Sequence, residues 1–195
     1  MAVKTFNAFL QSHKVTTLQS PFTHVSMGHP YGKYNIDNTE IDHFYKLYAD
    51  CIGKKPLYLA ERAKDIGKLM LDIDFKQNSQ DRQYRINDIY ALLNISNKVI
   101  RDLGDNLNID ISAAILIKEK PILSNGIYKD GIHIIYDQFS APKHTRAEIV
   151  NKIIEKAKEI NLFGNLNLIN NIDDIIDTCI LHNPLLMYGS HKQYG

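Results

Sequence analysis

The chain has 195 residues, 44% of them hydrophobic and 23% charged, with a formal net charge of +1. This is enough for one globular domain, or two small lobes sharing a core. No apolar run approaches the roughly 20 residues of a membrane span, the N-terminal MAVKTFNAFLQSHK lacks the apolar stretch and cleavage site of a signal peptide, and the only cysteines, Cys51 and Cys179, exclude a disulfide framework or a four-cysteine zinc site.

An intracellular protein without membrane association is therefore expected. Neither cysteine lies in a C-x-x-C pair, so both read as small buried apolar side chains. The near-zero net charge neither advertises nucleic-acid binding nor excludes it, because a local basic groove can coexist with a neutral total.

In chain order, Lys4 to His13 forms a short helix with Phe6, Phe9 and Leu10 on one side. The alternation of Phe22, His24 and Ser26, followed by Gly and Pro, predicts a strand and a turn. Asn38 or Thr39 can cap a helix reaching about Cys51, with Ile41, Phe44, Tyr45 and Tyr48 inward. LYLAERAK reads as an edge strand or a loop. Ile66 to Phe75 is a buried strand carrying two acids. A polar loop then leads to a long amphipathic helix from about Ile86 to Leu103. Strands follow at Ile109–Lys118 and at Gly131–Tyr136, then a helix from Thr145 to about Ile160 with Ile149, Ile153, Ile154 and Ala157 inward. The short segment DDIID precedes a final strand-like LLMYGS. Strands and helices mix without the regular alternation of a doubly wound fold, which points to an α+β architecture with an antiparallel or mixed sheet.

Three motifs carry chemistry. In Leu71-Asp72-Ile73-Asp74 the two acids are two apart on a strand, so they project to one face about 6–7 Å apart along it. Two such carboxylates near apolar neighbours repel and lose solvation unless a cation neutralises them, a role suited to Mg²⁺ or Mn²⁺. The other reading is a strand emerging into solvent with two surface acids. In Lys129-Asp130-Gly131-Ile132-His133, residues Gly131, His133 and Ile135 share a face. The glycine admits a ligand near the backbone, and His133 and Lys129 can hold phosphate oxygens. In the third, Asp177 (with Asp173 and Asp174 as neighbouring candidates) precedes Gly189-Ser190-His191-Lys192. That pattern can supply a third metal ligand and a second phosphate clamp, although the P-loop spacing is absent.

In these motifs the chain resembles the archaeo-eukaryotic primases, and most closely the primase domains that begin the primase-helicases of nucleocytoplasmic large DNA viruses. LDIDFK, YKDGIHIIY and IIDTCIL…LLMYGSHK carry the resemblance, with THVSMGHPYGKY as a similar lead-in. It touches most of the chain from about residue 20 onward. The resemblance implies a catalytic lobe related to the RNA-recognition-motif sheet, with residues from about 66 to 195 binding metal and nucleotide, packed with an N-terminal α/β lobe of about residues 1–65. It further implies a DNA primase or primase-polymerase, that is, a nucleotidyltransferase using two Mg²⁺ or Mn²⁺ ions, an NTP or dNTP, and a single-stranded DNA template. Asp72, Asp74 and Asp177 would be the catalytic metal ligands, and Lys129, His133, Ser190 and Lys192 the nucleotide-binding residues. A linked or associated replicative helicase is the implied partner, with host cytoplasm or a viral replication compartment as the location. The pattern departs from the wider family where a serine often precedes the histidine: Ile127 and Tyr128 stand here, with Ser124 further back. Leu185 and Leu186 stand where a basic residue is common.

A metal-dependent nuclease could also use two acids on a strand, but it needs no triphosphate clamp. A non-catalytic single-strand-binding module would want its aromatics on one strand face, and it gives no reason for the paired acids. For the template, Lys14, His24, His29, Lys33, Lys76, Arg82 and Arg85 are candidates for a groove that tracks phosphates.

Overall fold

The computed structural model describes residues 2–17, 20–103 and 111–193. In chain order the elements are α1 (Ala2–Ser12), β1 (His24–Ser26), β2 (Gly32–Tyr34), α2 (Ile41–Ala49), β3 (Leu59–Glu61) and β4 (Ile66–Gln77). Then come α3 (Ile86–Leu103), β5 (Ala114–Ile117), β6 (Ile122–Ser124), β7 (Ile127–Pro142) and α4 (Lys143–Glu159). The chain ends with α5 (Ile172–Ile175), β8 (Ile176–Asp177), a 3-10 turn (Thr178–Leu181) and β9 (Leu185–Leu186). The class is α+β, and all ladders between these strands are antiparallel. Two compact units form: Met1–Lys64 with His182–Gly195, and Asp65–Leu181.

The first unit holds a sheet in the order β2-β1-β3-β9. Phe6 and Leu10 of α1 and Phe44 and Tyr48 of α2 pack with Tyr34, Ile36, Leu57 and Leu59. LYLAERAK contains β3, which pairs with β1 on one side and β9 on the other, so it is an interior strand rather than an edge or a loop. The Asn38 or Thr39 cap does not form. Thr39 instead gives both its N–H and its hydroxyl proton to the Asp37 carboxylate (2.8 and 2.9 Å), and Glu40 stands at the N-cap with its carboxylate on His13 (2.9 Å) rather than on the helix N–H groups. Tyr45, expected inward, is 39% exposed, with its hydroxyl donating to Glu61. Of the cysteines, Cys51 is buried as expected but Cys179, in the second unit, is exposed.

The second unit is built on β4 and β7. They pair from Ile66↔Pro142 to Gln77↔Tyr128, with β8 on the free edge of β4, and β5 and β6 in turn along β7. Alternation along β4 buries Leu69, Leu71, Ile73 and Phe75, while Met70, Asp72, Asp74 and Lys76 take the opposite, half-buried face. The buried set packs with Ile89, Leu92, Val99 and Ile100 of α3 and with Ile149, Val150, Ile153 and Ala157 of α4. Each such side chain contributes about 1.5–3 kcal/mol on burial, so this core fixes the register of β4 and with it which residues face outward. The strand expected at Gly131–Tyr136 is the middle of a much longer β7. Its hairpin with β6 turns through Asn125 (φ 51°) and Gly126 (φ 79°), residues that tolerate the left-handed conformation. Of the strand expected over Ile109–Lys118, Ile109 and Asp110 lie outside the described residues, and the ladder covers Ala114–Ile117.

Candidate active site

The sheet register of the second unit assembles the site. Asp72 sits in the centre of a row, opposite Asp177 of β8 on one side and opposite His133 of β7 on the other. Leu116 of β5 extends the row beyond His133. In the next row Asp74 stands opposite Gly131, and the Lys118 N–H donates to the Gly131 carbonyl at 3.2 Å, continuing the β5 ladder. One carboxylate oxygen from each of Asp72, Asp74 and Asp177 lies within 4.8 Å of the others. Acids two apart on one strand thus meet a third from the neighbouring strand, because directly opposed residues have close Cβ atoms.

Local structure explains why Asp177, and not Asp173 or Asp174, completes the set. Asn171 caps α5, its side-chain oxygen accepting from the Asp173 and Asp174 N–H groups (3.0 and 3.2 Å). Asp173 then pairs with Lys158 at 2.5 Å, away from the row. The helix ends after one turn, and the extended Ile176–Asp177 pairs with Ile73 and Asp72. Beyond that pairing Asn170 replaces a strand. Its amide donates to the Asp74 carbonyl at 2.8 Å, and its oxygen accepts the Lys76 N–H at 2.9 Å. The Cys179 N–H in turn donates to Asp177 Oδ1 at 2.7 Å and fixes that carboxylate. A side-chain hydrogen bond from the Cys179 thiol to the same acid, together with the acid's charge, raises the thiol pKa.

The cluster is electrostatically costly by itself. Burial pushes the Asp74 carboxyl above the usual carboxylate range, and the charges of Asp72 and Asp177 push it further, against opposing pulls from Lys118 and His133. His133 Nε2 lies 3.3 Å from Asp72 Oδ1, and Lys118 Nζ 3.8 Å from Asp74 Oδ1. Three oxygens drawn together with only partial compensation suit a hard divalent cation such as Mg²⁺ or Mn²⁺.

Of the residues singled out in the sequence, the second unit brings together Asp72, Asp74, Asp177 and His133. Lys129 is exposed on the same face one step further along β7, opposite Lys76. Ser190 and Lys192 belong to the first unit. There the Ser190 N–H donates to Met187, and its hydroxyl accepts from the Leu59 N–H and pairs with the Tyr48 hydroxyl at 2.8 Å. These bonds hold the Ser190 segment against β3. Lys192 is exposed.

Two of the template candidates are corrected. His24 is fully buried against the Phe44 ring, at 4.6 Å between centroids, because the strand alternation that marked it also turns it inward. Arg82 is bound to buried Asp130, its Nε donating to Oδ2 at 2.8 Å, and it also donates to the Lys118 carbonyl. Lys33 lies over the Phe22 ring at 4.7 Å, and Lys14, His29 and Arg85 are exposed or half-exposed.

Sequence reasoning missed Lys118, Asn170, Asn171 and the Arg82–Asp130 pair. The i, i+2 spacing of Leu116 and Lys118 puts both on one face, but which face is decided only by the pairing of β5 with β7.

A family model described as "C962R protein N-terminal AEP domain" matches residues 23–195. Over 196 aligned residues the chain is 31% identical to a protein of Acanthamoeba polyphaga mimivirus named provisionally as a helicase (L207/L206), covering 95% of this chain and 20% of that protein. It is 25% identical over 193 residues to a protein of Invertebrate iridescent virus 3, also named provisionally as a helicase (121R), covering 88% of this chain and 20% of that protein. The chain thus spans 20% of the length of each of these relatives. Among the described residues no helix is long and apolar enough to cross a membrane.

Proposed function

Because the chain belongs to the archaeo-eukaryotic primase family, in the branch found in large DNA viruses, we propose that it is a template-directed nucleotidyltransferase that makes primers on single-stranded DNA. The observation that carries this reading is the meeting of Asp72, Asp74 and Asp177 within 4.8 Å, on a sheet face flanked by His133, Lys118 and Lys129. Bound divalent ions would neutralise the carboxylates, lower the pKa of an attacking 3′-hydroxyl and stabilise the leaving oxygen.

The chain's own residues orient and hold. Asp72, Asp74 and Asp177 are the ligands, kept in place by the β8–β4–β7 register, the Asn170 clamp and the Cys179 N–H. His133 exchanges its Asp72 contact for a β- or γ-phosphate oxygen of the incoming nucleotide, and Lys129 adds a positive donor on the same face. The same reading gives Ser190 and Lys192 triphosphate contacts. No side-chain nucleophile is required, since the 3′-hydroxyl attacks the α-phosphate and pyrophosphate leaves. The helicase names of the viral relatives support a further part of the proposal: the domain works while linked to a replicative helicase, in the replication compartment of an infected cell.

The test uses single-stranded DNA, labelled NTPs or dNTPs and Mg²⁺ or Mn²⁺, with and without a primer. Wild type is run beside an Asp72→Ala/Asp74→Ala variant, and products are sized on a denaturing gel. Metal-dependent products from wild type alone, including some without a primer, are expected. Shortened DNA would replace this reading with a nuclease. Equal DNA binding by both proteins without synthesis would leave a binding module.

A further inference from the structure

Resting on the nucleotidyl-transfer reading, we infer that Lys118 is a triphosphate-binding residue of this site, seated over Gly131, whose charge competes with a divalent cation at Asp74. Its backbone is held on both sides: the N–H donates to the Gly131 carbonyl at 3.2 Å, and the carbonyl accepts from Arg82. Arg82 is itself fixed by Asp130, whose side chain is 0% exposed. Anchoring of its backbone through that ion pair fixes where the side chain starts, beside Gly131 and within reach of Asp74.

That place lies over a glycine for a reason. A Cβ at Gly131 would stand 3.1 Å from Lys118 Nζ, 3.4 Å from Asp74 Oδ1 and 2.8 Å from the Ile73 carbonyl oxygen. Only glycine fits where the β4 backbone, the Asp74 carboxylate and the ammonium come this close together. The Lys118 side chain is 39% exposed, and at 3.8 Å from Asp74 Oδ1 it is a charge neighbour rather than a hydrogen-bond partner. Among the described residues its ammonium makes no hydrogen bond, which leaves three donors for a ligand. His133 in the row of Asp72 and Lys118 in the row of Asp74 both stand on the β7 side of the carboxylates, across from Asp177. A polyphosphate whose oxygens must approach bound cations would find both. The ammonium also opposes any cation approaching Asp74, and this gives the test its signature.

The full chain is titrated with Mn²⁺, and then, in saturating Mn²⁺ without template, with the α,β-imido analogues of ATP and dATP, by calorimetry. Wild type, Lys118→Gln and Lys118→Arg are compared, with melting curves to establish that each is folded. Lys118→Gln is expected to bind Mn²⁺ about threefold more tightly, the gain from losing a half-exposed like charge. It should bind nucleotide about tenfold more weakly, and raise the nucleotide KM in primer extension by a similar factor. Lys118→Arg should recover nucleotide affinity to within about threefold of wild type. A residue that only braces the sheet would lower both affinities together, and that result would overturn the inference. Unchanged nucleotide affinity in folded Lys118→Gln, with wild type active, overturns it alone. Wild type that takes up Mn²⁺ but neither nucleotide analogue overturns the nucleotidyl-transfer reading and this inference with it.

Discussion

Asp74 shows at residue scale what the site costs the fold. Its carboxyl is raised above the usual carboxylate range by burial and by Asp72 and Asp177, so the folded chain holds that proton more tightly than the unfolded chain. The stabilising contribution is therefore present below the unfolded value of 3.8 and is lost as pH rises through the raised folded value. At neutral pH in EDTA, Asp74→Asn should raise Tm by about 1–2 °C, a small gain because the Asp74 side chain is 45% exposed. Mn²⁺ should raise the Tm of wild type but not of the variant. A lower Tm for Asp74→Asn in EDTA would show the carboxylate to be structural. His24 has the opposite chemistry. Burial, helped by the charge of Lys64, depresses its pKa from 6.5 to about 4. Between these values the unfolded chain carries a proton that the folded chain refuses, so stability falls as pH drops through that window, by on the order of 3 kcal/mol. Chemical denaturation of His24→Leu from pH 7 to 4 should give a flatter stability profile than wild type, and an equally steep one would contradict the burial. The acids were legible in the sequence because Asp72 and Asp74 share strand parity. His24 misled because an alternating histidine reads the same whether its face is wet or dry.

At the scale of elements, β4 and α3 were readable from period alone, since long apolar alternation and 3.6-residue spacing leave few other choices. The β6–β7 hairpin carried a signal in Asn125-Gly126 that went unused, and with it the full length of β7. The reach of β5 to Lys118 was readable, but its register against β7 was not, because register comes from the turn and from packing. The Arg82–Asp130 pair was hidden for a similar reason. Asp130 sits between Lys129 and Gly131 on the outward-facing stretch of the motif, and only the burial of its alternate face shows that it needs a counter-ion. Removing Arg82 leaves that carboxylate buried with the neighbouring Gly131 N–H (2.9 Å) as its one hydrogen-bond donor among the described residues. Arg82→Ala should therefore cost about 3–5 kcal/mol by urea denaturation. Asp130→Asn/Arg82→Met should recover part of that loss, because the neutral pair leaves no isolated charge. A loss below about 1 kcal/mol for Arg82→Ala would mean that water reaches Asp130.

At the scale of the whole molecule, the chain order of the units matters more than any one motif. Residues 65–181 are continuous, whereas the first unit is completed by a return of the chain at 182–195. That return was not legible from sequence, because LLMYGS offers a two-residue ladder, Leu185 and Leu186, and an isolated bridge at Ser190, and its partner strand β3 was itself ambiguous. All three clustered aspartates and His133 lie in the continuous unit, together with the core formed by β4, β7, α3 and α4. Lys192, proposed above as a triphosphate contact, lies in the other. Expressed alone, residues 65–181 should therefore melt cooperatively and be stabilised by Mn²⁺ in a manner abolished by Asp72→Asn, since sheet, core and ligands are all present. The fragment should make no primers, because the resemblance assigns part of the triphosphate binding to the missing segment. Circular dichroism melts with and without Mn²⁺, beside the primer assay, separate the outcomes. A fragment without a cooperative transition would mean that the two units fold only together. A fragment that makes primers would remove Lys192 from the site and leave the triphosphate to His133, Lys129 and Lys118.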